Sequence, residues 1–177
     1  FNAISDLEPA LRSDASQPYV FIVRGDSLRN TEHYDKAVVE FTKAMEIDGT
    51  LADAYSSRGE CLLAQDALDS AQQDYLKALE LDDKDALTHV RLATLFTLKK
   101  NYSEALGQAA KAIRLNPNNS EAFLRAGNAH HFQRKYGKAI ENYVLAVAKD
   151  PLNPAAHNGL GLGLFARSVG FQWLDDD

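Results

Sequence analysis

The sequence predicts an all-α protein, built as a solenoid of stacked helical hairpins. One pattern recurs every 34 residues, without insertion or deletion, over residues 18–51, 52–85, 86–119 and 120–153. Within each repeat the apolar residues fall three, four and seven positions apart, which is the spacing of one helix face and not of a strand. Each repeat is therefore expected to form two helices.

Small and large residues recur at fixed positions of the two helices. Position 8, in the first helix, is small in every repeat and is occupied by Gly25, Gly59, Ala93 and Gly127. Position 24, in the second helix, is occupied by Phe41, Tyr75, Ala109 and Tyr143. Small residues should let the helices of one hairpin approach closely, while the aromatic rings should fill the spaces between successive hairpins.

The repeats are separated by residues that end helices. Residues 48–50, 82–85, 116–119 and 150–154 are rich in Asp, Asn, Gly and Pro. Proline cannot continue a helix, and the other three residue types accept turn conformations. These segments are predicted to be the turns between hairpins.

This frame resembles the tetratricopeptide repeat (TPR), and the resemblance covers about 167 of the 177 residues. It implies a right-handed α-solenoid of helix–turn–helix hairpins. A chain that starts in mid-repeat is expected to be part of a longer array, because solenoids have polar capping units at their ends. The predicted division is residues 1–17 (second helix of a partial repeat), 18–51, 52–85, 86–119 and 120–153 (four complete repeats), and 154–177 (first helix of a partial or capping repeat plus an acidic tail).

Some residues depart from the family pattern. Arg24 and Arg58 replace the usual apolar residue at position 7, and Pro9 should kink or shorten the helix predicted in residues 1–17. The pattern ends after Arg167, since Trp173 falls where alanine belongs. Two histidines, His89 and His157, occupy the packed position 4 and are expected to be core imidazoles.

Composition and charge exclude several classes of function. The net charge of -6 argues against general nucleic-acid binding, and no apolar run is long enough to suggest a membrane span. The one cysteine, Cys61, cannot form an internal disulfide and is expected to be buried rather than nucleophilic. We therefore expect a cytoplasmic protein, with the nucleoplasm as the alternative.

No metal, cofactor or catalytic group is expected. His130 and His131 are adjacent, so a helix would direct them to different faces and not to one metal ion. The glycines of residues 159–163 lie in a helical pattern without a preceding strand, which favours close packing over a phosphate loop. The chain is predicted not to be an enzyme.

The TPR resemblance implies that the first helices line a concave surface through positions 2, 5, 6, 9, 12 and 13. Arg91 and Arg125 share position 6 in successive repeats, so both should point into this groove and could clamp a carboxylate or phosphate. The alternative is that they pair with neighbouring acids such as Glu121. The residues predicted to form the partner-binding groove are Tyr19, Asp26, Asp53, Ser57, Glu60, Arg91, Thr94, Leu98, Arg125, Asn128 and His131.

Charge is distributed unevenly along the array. Residues 18–85 carry a net charge of -8, whereas residues 86–153 carry +6. This difference could orient an elongated partner of opposite polarity or support head-to-tail contact between copies. The alternative is that these charges simply solvate the helix faces.

One known ligand-binding pattern of the family is disfavoured. Some TPR proteins hold the acidic tails of heat-shock chaperones with a clamp of Lys, Asn and Arg. Only the arginine of that clamp is matched, and the asparagine ladder of the O-GlcNAc transferase arm is missing. Counted from the first repeat, the clamp positions hold Ile22, Asp26, Ser57, Leu87 and Arg91.

The predicted function is a non-catalytic scaffold whose concave groove binds an extended peptide or a helix of a partner protein. The alternative is a regulatory or substrate-recruiting arm of a larger enzyme or chaperone-associated protein. A third hypothesis is self-association through the half-repeats at the two ends, which would expose apolar residues around Phe1, Leu7, Leu164 and Phe165.

Overall fold

The computed structural model describes residues 17–172, and this part of the chain contains nine α-helices and no strand. The prediction of an all-α chain is thus confirmed. The helices are α1 (Pro18–Asn30), α2 (Tyr34–Ile47), α3 (Ala52–Ala64), α4 (Leu68–Leu81), α5 (Ala86–Leu98), α6 (Tyr102–Leu115), α7 (Ser120–Phe132), α8 (Tyr136–Lys149) and α9 (Pro154–Gln172).

The helices belong to two compact units, of which unit 1 ends at Lys84 and unit 2 begins at Asp85. In unit 1, α1 packs against α2 and α3 packs against α4, so that each pair forms a hairpin, and α2 also packs against α3. In unit 2, α5 pairs with α6 and α7 with α8, while α9 packs against α8 and α7. Each unit is therefore a stack of helical hairpins.

Every hairpin turn uses the same backbone conformation. The residue at position 15 has a positive φ in all four complete hairpins, at Glu32, Asp66, Lys100 and Arg134. In the first of these turns, the His33 N–H donates to the Leu28 carbonyl at 2.8 Å, which satisfies a carbonyl at the end of α1. A non-glycine residue in this conformation costs about 1 kcal/mol, so the hairpin must hold each turn in place.

Side chains cap the first helices of unit 2. Asp85 accepts hydrogen bonds from the Leu87 and Thr88 N–H groups at the start of α5. Asn119 accepts one from the Ala122 N–H at the start of α7. These caps satisfy donors that an α-helix leaves unpaired in its first turn.

In three hairpins, the position 8 glycine lies beneath the aromatic ring at position 24. A Cβ atom added to Gly127 would lie 2.6 Å from the Tyr143 ring, and the same holds at 2.7 Å for Gly25 with Phe41. Gly59 and Tyr75 form the equivalent pair. In the third hairpin both positions are alanine, and Ala93 and Ala109 share one buried cluster. The expectation that small residues allow close approach within a hairpin is confirmed.

The arginine that departs from the family pattern in the second hairpin is held by a buried carboxylate. Arg58 Nε and Nη2 donate to the two Asp74 oxygens, each at 2.7 Å, and Nη1 donates to Thr42 Oγ1 at 3.0 Å. These hydrogen bonds with Asp74 raise the pKa of the Arg58 guanidinium above its ordinary value. In the first hairpin, Arg24 lies 3.8 Å from the carboxylate of Glu40, which has the same position as Asp74.

One of the two histidine predictions is wrong. His89 is buried, with Nδ1 2.7 Å from Gln108 Oε1, as expected for a core imidazole. His157 is exposed instead, because its ring turns toward the preceding turn, where Nε2 lies 2.8 Å from the Pro151 carbonyl oxygen. Cys61 is fully buried, as predicted.

The last described helix is longer than the sequence pattern indicated, since α9 continues past Arg167 to Gln172. Of the residues predicted to mediate self-association, Leu164 and Phe165 are exposed on α9. The other predictions for the two ends, which concern residues 1–16 and 173–177, lie outside the described residues. None of the helices between residues 17 and 172 combines the length and apolar character needed to cross a membrane.

Candidate functional site

A pocket of about 360 Å³ opens in unit 2 between α7 and α9, and Tyr143 of α8 contributes to its wall. Most of its lining comes from positions 5, 6, 9, 12 and 13 of α7 and positions 2, 5, 6 and 9 of α9. The lining residues are Leu124, Arg125, Asn128, His131, Phe132, Tyr143, Ala155, Asn158, Gly159 and Leu162.

A hydrogen bond inside the pocket fixes the orientation of one amide. Burial raises the pKa of Tyr143 to about 12, so its hydroxyl keeps its proton and can donate. The acceptor is Asn128 Oδ1, at 2.9 Å. Since the oxygen faces Tyr143, the Asn128 NH₂ group points away from the phenol and is placed to donate to a ligand.

Arg125 is the one formally charged side chain among the described residues that line this pocket. It forms an ion pair with Glu121, one turn earlier on α7, and Glu121 itself does not line the pocket. For Arg125, the structure thus contains the ion pair that the sequence raised as the alternative for both Arg91 and Arg125. The described lining therefore contains one positive charge, which is paired with Glu121, and no carboxylate.

Aromatic and aliphatic side chains form the rim. Phe132 is 58% exposed and Leu162 is 52% exposed. Phe132 stacks on Tyr102 with ring centroids 6.0 Å apart, and the His131 ring meets it edge-on with centroids 5.9 Å apart. These contacts hold the Phe132 ring in place while leaving more than half of the residue open to solvent.

Unit 1 has a second pocket of about 350 Å³, between the ends of α1 and α3, with a different electrostatic character. Arg29 Nη1 donates to Glu60 Oε2 at 2.6 Å, and Nη2 lies 3.2 Å from an Asp26 oxygen. Two carboxylates thus surround one guanidinium. The lining residues are Arg29, Asn30, Tyr34, Glu60, Leu63 and Ala64.

Matches to two family models identify the family of the chain. Residues 19–50 and 52–85 match one tetratricopeptide-repeat model, and residues 99–143 and 124–168 match another. Together they cover more than half of the chain. The chain belongs to the tetratricopeptide-repeat family. TPR proteins are in general non-catalytic scaffolds for protein interaction.

Solved TPR structures share this α-solenoid fold. YrrB, described as a TPR protein with an unusual peptide-binding site, matches with a TM-score of 0.71 and 20% identity, over 92% of this chain and 84% of its own. The pilF protein of Pseudomonas aeruginosa matches with a TM-score of 0.78 and 22% identity, over 88% and 70%. A comparison with curated protein sequences gave no match.

A third TPR structure was solved with a peptide. The first TPR of Spaghetti (RPAP3), bound to the HSP90 peptide SRMEEVD, matches with a TM-score of 0.63 and 23% identity, over 66% of this chain and 93% of its own. At these identities the likeness concerns the fold alone. The predicted α-solenoid class is confirmed by the three structures.

The TPR residues predicted to bind a partner are divided among several places. Arg125, Asn128 and His131 come together in the pocket of unit 2, and Glu60 lines the pocket of unit 1. Asp26 contacts Arg29 beside the latter pocket. The predicted residues outside both linings are Tyr19 and Asp26 on α1, Asp53 and Ser57 on α3, and Arg91, Thr94 and Leu98 on α5.

Sequence reasoning missed the residues that α8 and α9 add to the pocket of unit 2. Asn158 and Leu162 occupy positions 5 and 9 of α9, so the rule used for the complete repeats would have found them. Tyr143 belongs to a second helix, and its wall position depends on Gly159 leaving room beside the ring. The sequence does indicate this room beside the ring, because residue 159 is a glycine.

Within residues 17–172, no group of three or more His, Cys, Asp or Glu side chains is arranged to hold a metal ion. His131 instead packs against the rings of Phe132 and Tyr136.

His130 should make stability depend on pH. Burial, and then the charges of Lys138 and Lys135, lower the pKa of its imidazole from 6.5. The unfolded chain therefore binds this proton more readily, so the stability from neutral His130 is complete above about pH 6.5 and is lost as the pH falls through the folded-state pKa. We expect His130→Asn to reduce the fall in unfolding free energy between about pH 7 and about pH 5, measured by urea denaturation. An unchanged pH dependence would contradict this assignment.

Proposed function

We propose that this chain is a non-catalytic scaffold that binds an extended peptide, or a helix of a partner protein, at the pocket between α7 and α9. The observation that carries the proposal is the exposed rim of Phe132 and Leu162 around the fixed Asn128 amide. Large apolar side chains that border placed polar groups are typical of binding sites.

The dimensions of the pocket favour a side chain of a peptide over a whole cofactor. Its volume of about 360 Å³ lies at the lower end of the range found for small-molecule sites. Peptides in grooves bind through a few anchor side chains, while their backbone is held by hydrogen bonds. The Asn128 NH₂ group and the Asn158 amide are suited to form hydrogen bonds with a peptide backbone.

The proposal is tested with a random peptide library displayed on phage. Selection on the parent chain should enrich peptides that bind a Phe132→Asp/Leu162→Asp variant about tenfold more weakly. A Val144→Asp/Leu145→Asp variant is the matched control, because both side chains are similarly exposed on α8 and neither lines the pocket.

Circular dichroism and thermal unfolding must show that all three proteins are folded to the same extent. If the enriched peptides bind the pocket variant as tightly as the parent, the pocket is not the binding site. Loss of binding in the α8 control would place the site on α8.

A further inference from the structure

We infer that the pocket between α7 and α9 selects a peptide in which an acidic residue adjoins a large apolar one, and that Glu121 occupies Arg125 until the peptide carboxylate replaces it. This inference rests on the proposed function. It adds the chemistry of the partner and identifies Glu121 as an internal competitor of the peptide for Arg125.

The charge of the pocket favours an acidic ligand. Arg125 supplies the one formal charge in the described lining, and the Asn128 NH₂ group points away from Tyr143. Both groups are donors, and no lining residue is a carboxylate. The surrounding residues 86–153 carry a net charge of +6, which also attracts acidic segments.

Glu121 is placed to act as a replaceable partner of Arg125. The two side chains are 37% and 28% exposed, and they lie one turn apart on α7. Ion pairs of this kind are weak, because water competes for both groups. A ligand carboxylate inside the pocket meets the same guanidinium in a less hydrated place, so exchange for Glu121 is favoured once the ligand's apolar side chain is also bound.

The apolar rim defines the second requirement. Phe132 and Leu162 are exposed on opposite helices, and Leu124 forms a buried part of the lining. An aromatic or large aliphatic side chain would bury this surface, whereas a purely acidic peptide would leave it in water. Selectivity for an acidic residue beside an apolar one follows from these two parts of the pocket.

The pocket of unit 1 provides the internal contrast. Its arginine, Arg29, is shared by Asp26 and Glu60, and Glu60 is part of the lining. Residues 18–85 carry a net charge of -8. An acidic peptide should therefore avoid unit 1, which makes Arg29→Gln a matched control for substitutions at Arg125.

The test uses a fluorescent, C-terminally amidated peptide with one phenylalanine flanked by two aspartates in a glycine–serine background. Exchange of both aspartates for asparagine, or of phenylalanine for alanine, should each weaken binding to the parent chain about fivefold or more in anisotropy titrations. Arg125→Gln should remove the preference for aspartate over asparagine. Glu121→Gln should tighten binding of the aspartate peptide about threefold and leave the asparagine peptide unchanged. Arg29→Gln should have no effect.

Equal binding of the aspartate and asparagine peptides would overturn the inference, as would a Glu121→Gln variant that binds the aspartate peptide no better than the parent. If both peptides bind equally but the Phe132→Asp/Leu162→Asp variant binds neither, the proposed function stands and only the acidic selectivity fails. If no designed peptide binds and the library gives no pocket-dependent sequence, both fail.

Discussion

Replacement of Gly127 by alanine should destabilise the chain by about 2 kcal/mol. The added Cβ would lie 2.6 Å from two atoms of the Tyr143 ring. The ring has little room to retreat, because Gly159 of α9 also packs against it, and a Cβ built there would lie 2.7 Å from Tyr143. Its hydroxyl is also held by Asn128. The methyl group must therefore push α7 and α8 apart.

Gly107→Ala is the matched control, and its effect should have the opposite sign. Gly107 lies in the interior of α6, is exposed, and has no atom within 4 Å of the position its Cβ would occupy. Alanine should stabilise this helix by about 1 kcal/mol, because glycine loses more backbone entropy on folding. Urea denaturation followed by circular dichroism measures both changes in the free energy of unfolding.

A double variant separates steric conflict from a change in helix propensity. Gly127→Ala/Tyr143→Ala reproduces the alanine pair that the third hairpin has at positions 93 and 109. The cost of Gly127→Ala should fall by at least about 1 kcal/mol in the Tyr143→Ala background. Additive effects of the two substitutions would show that contact with the ring does not cause the destabilisation.

The helical repeat could be predicted from the sequence because its determinants are local. The 34-residue period, the small residue at position 8 and the turn residues each appear in the linear pattern. His157 could not be placed in the same way. It has the position of a packed residue, but a hydrogen-bond acceptor in the preceding turn, the Pro151 carbonyl, holds its ring at the surface.

The candidate site could be predicted only in part. The TPR resemblance, together with helical spacing, placed Arg125, Asn128 and His131 on one surface of α7, and the structure brings them into one pocket. Helical spacing could not show that a hydrogen bond from Tyr143 fixes the orientation of the Asn128 amide, since that bond joins two helices. It also left open the choice between an unpaired Arg125 and a pair with Glu121, because both fit the same sequence.

The charges of the two units differ in role as well as in sign. In unit 1, carboxylates at Glu40, Glu60 and Asp74 are matched to arginines of neighbouring helices. In unit 2, the first helices carry apolar Leu92 and Ala126 at position 7, where unit 1 has arginine. These three acidic residues of unit 1 therefore serve helix packing, a role that was not among the sequence hypotheses of partner orientation, contact between copies and solvation.

Arg58→Leu should destabilise the chain by about 3 kcal/mol, because it leaves the Asp74 carboxylate buried without its ionic partner. The Asp74 side chain is only 7% exposed, whereas the Arg58 side chain is 24% exposed. Asp74→Ala should therefore cost less, about 1 to 2 kcal/mol, since the longer arginine can still reach water.

Arg58→Leu/Asp74→Gln should recover most of the loss, because the third hairpin already combines Leu92 with Gln108 at these two positions. A hydrophobic and a neutral polar residue need no ionic partner, so the strict requirement for matched charges disappears. The three variants are compared by urea denaturation at one pH, with the parent as reference. If Arg58→Leu alone proves as stable as the double variant, the Asp74 carboxylate does not need Arg58 as its partner. The ion pair between Arg58 and Asp74 then does not hold the second hairpin together. If instead the double variant is as unstable as Arg58→Leu, the donation from Arg58 to Thr42, which links the first two hairpins, contributes more than the ion pair does.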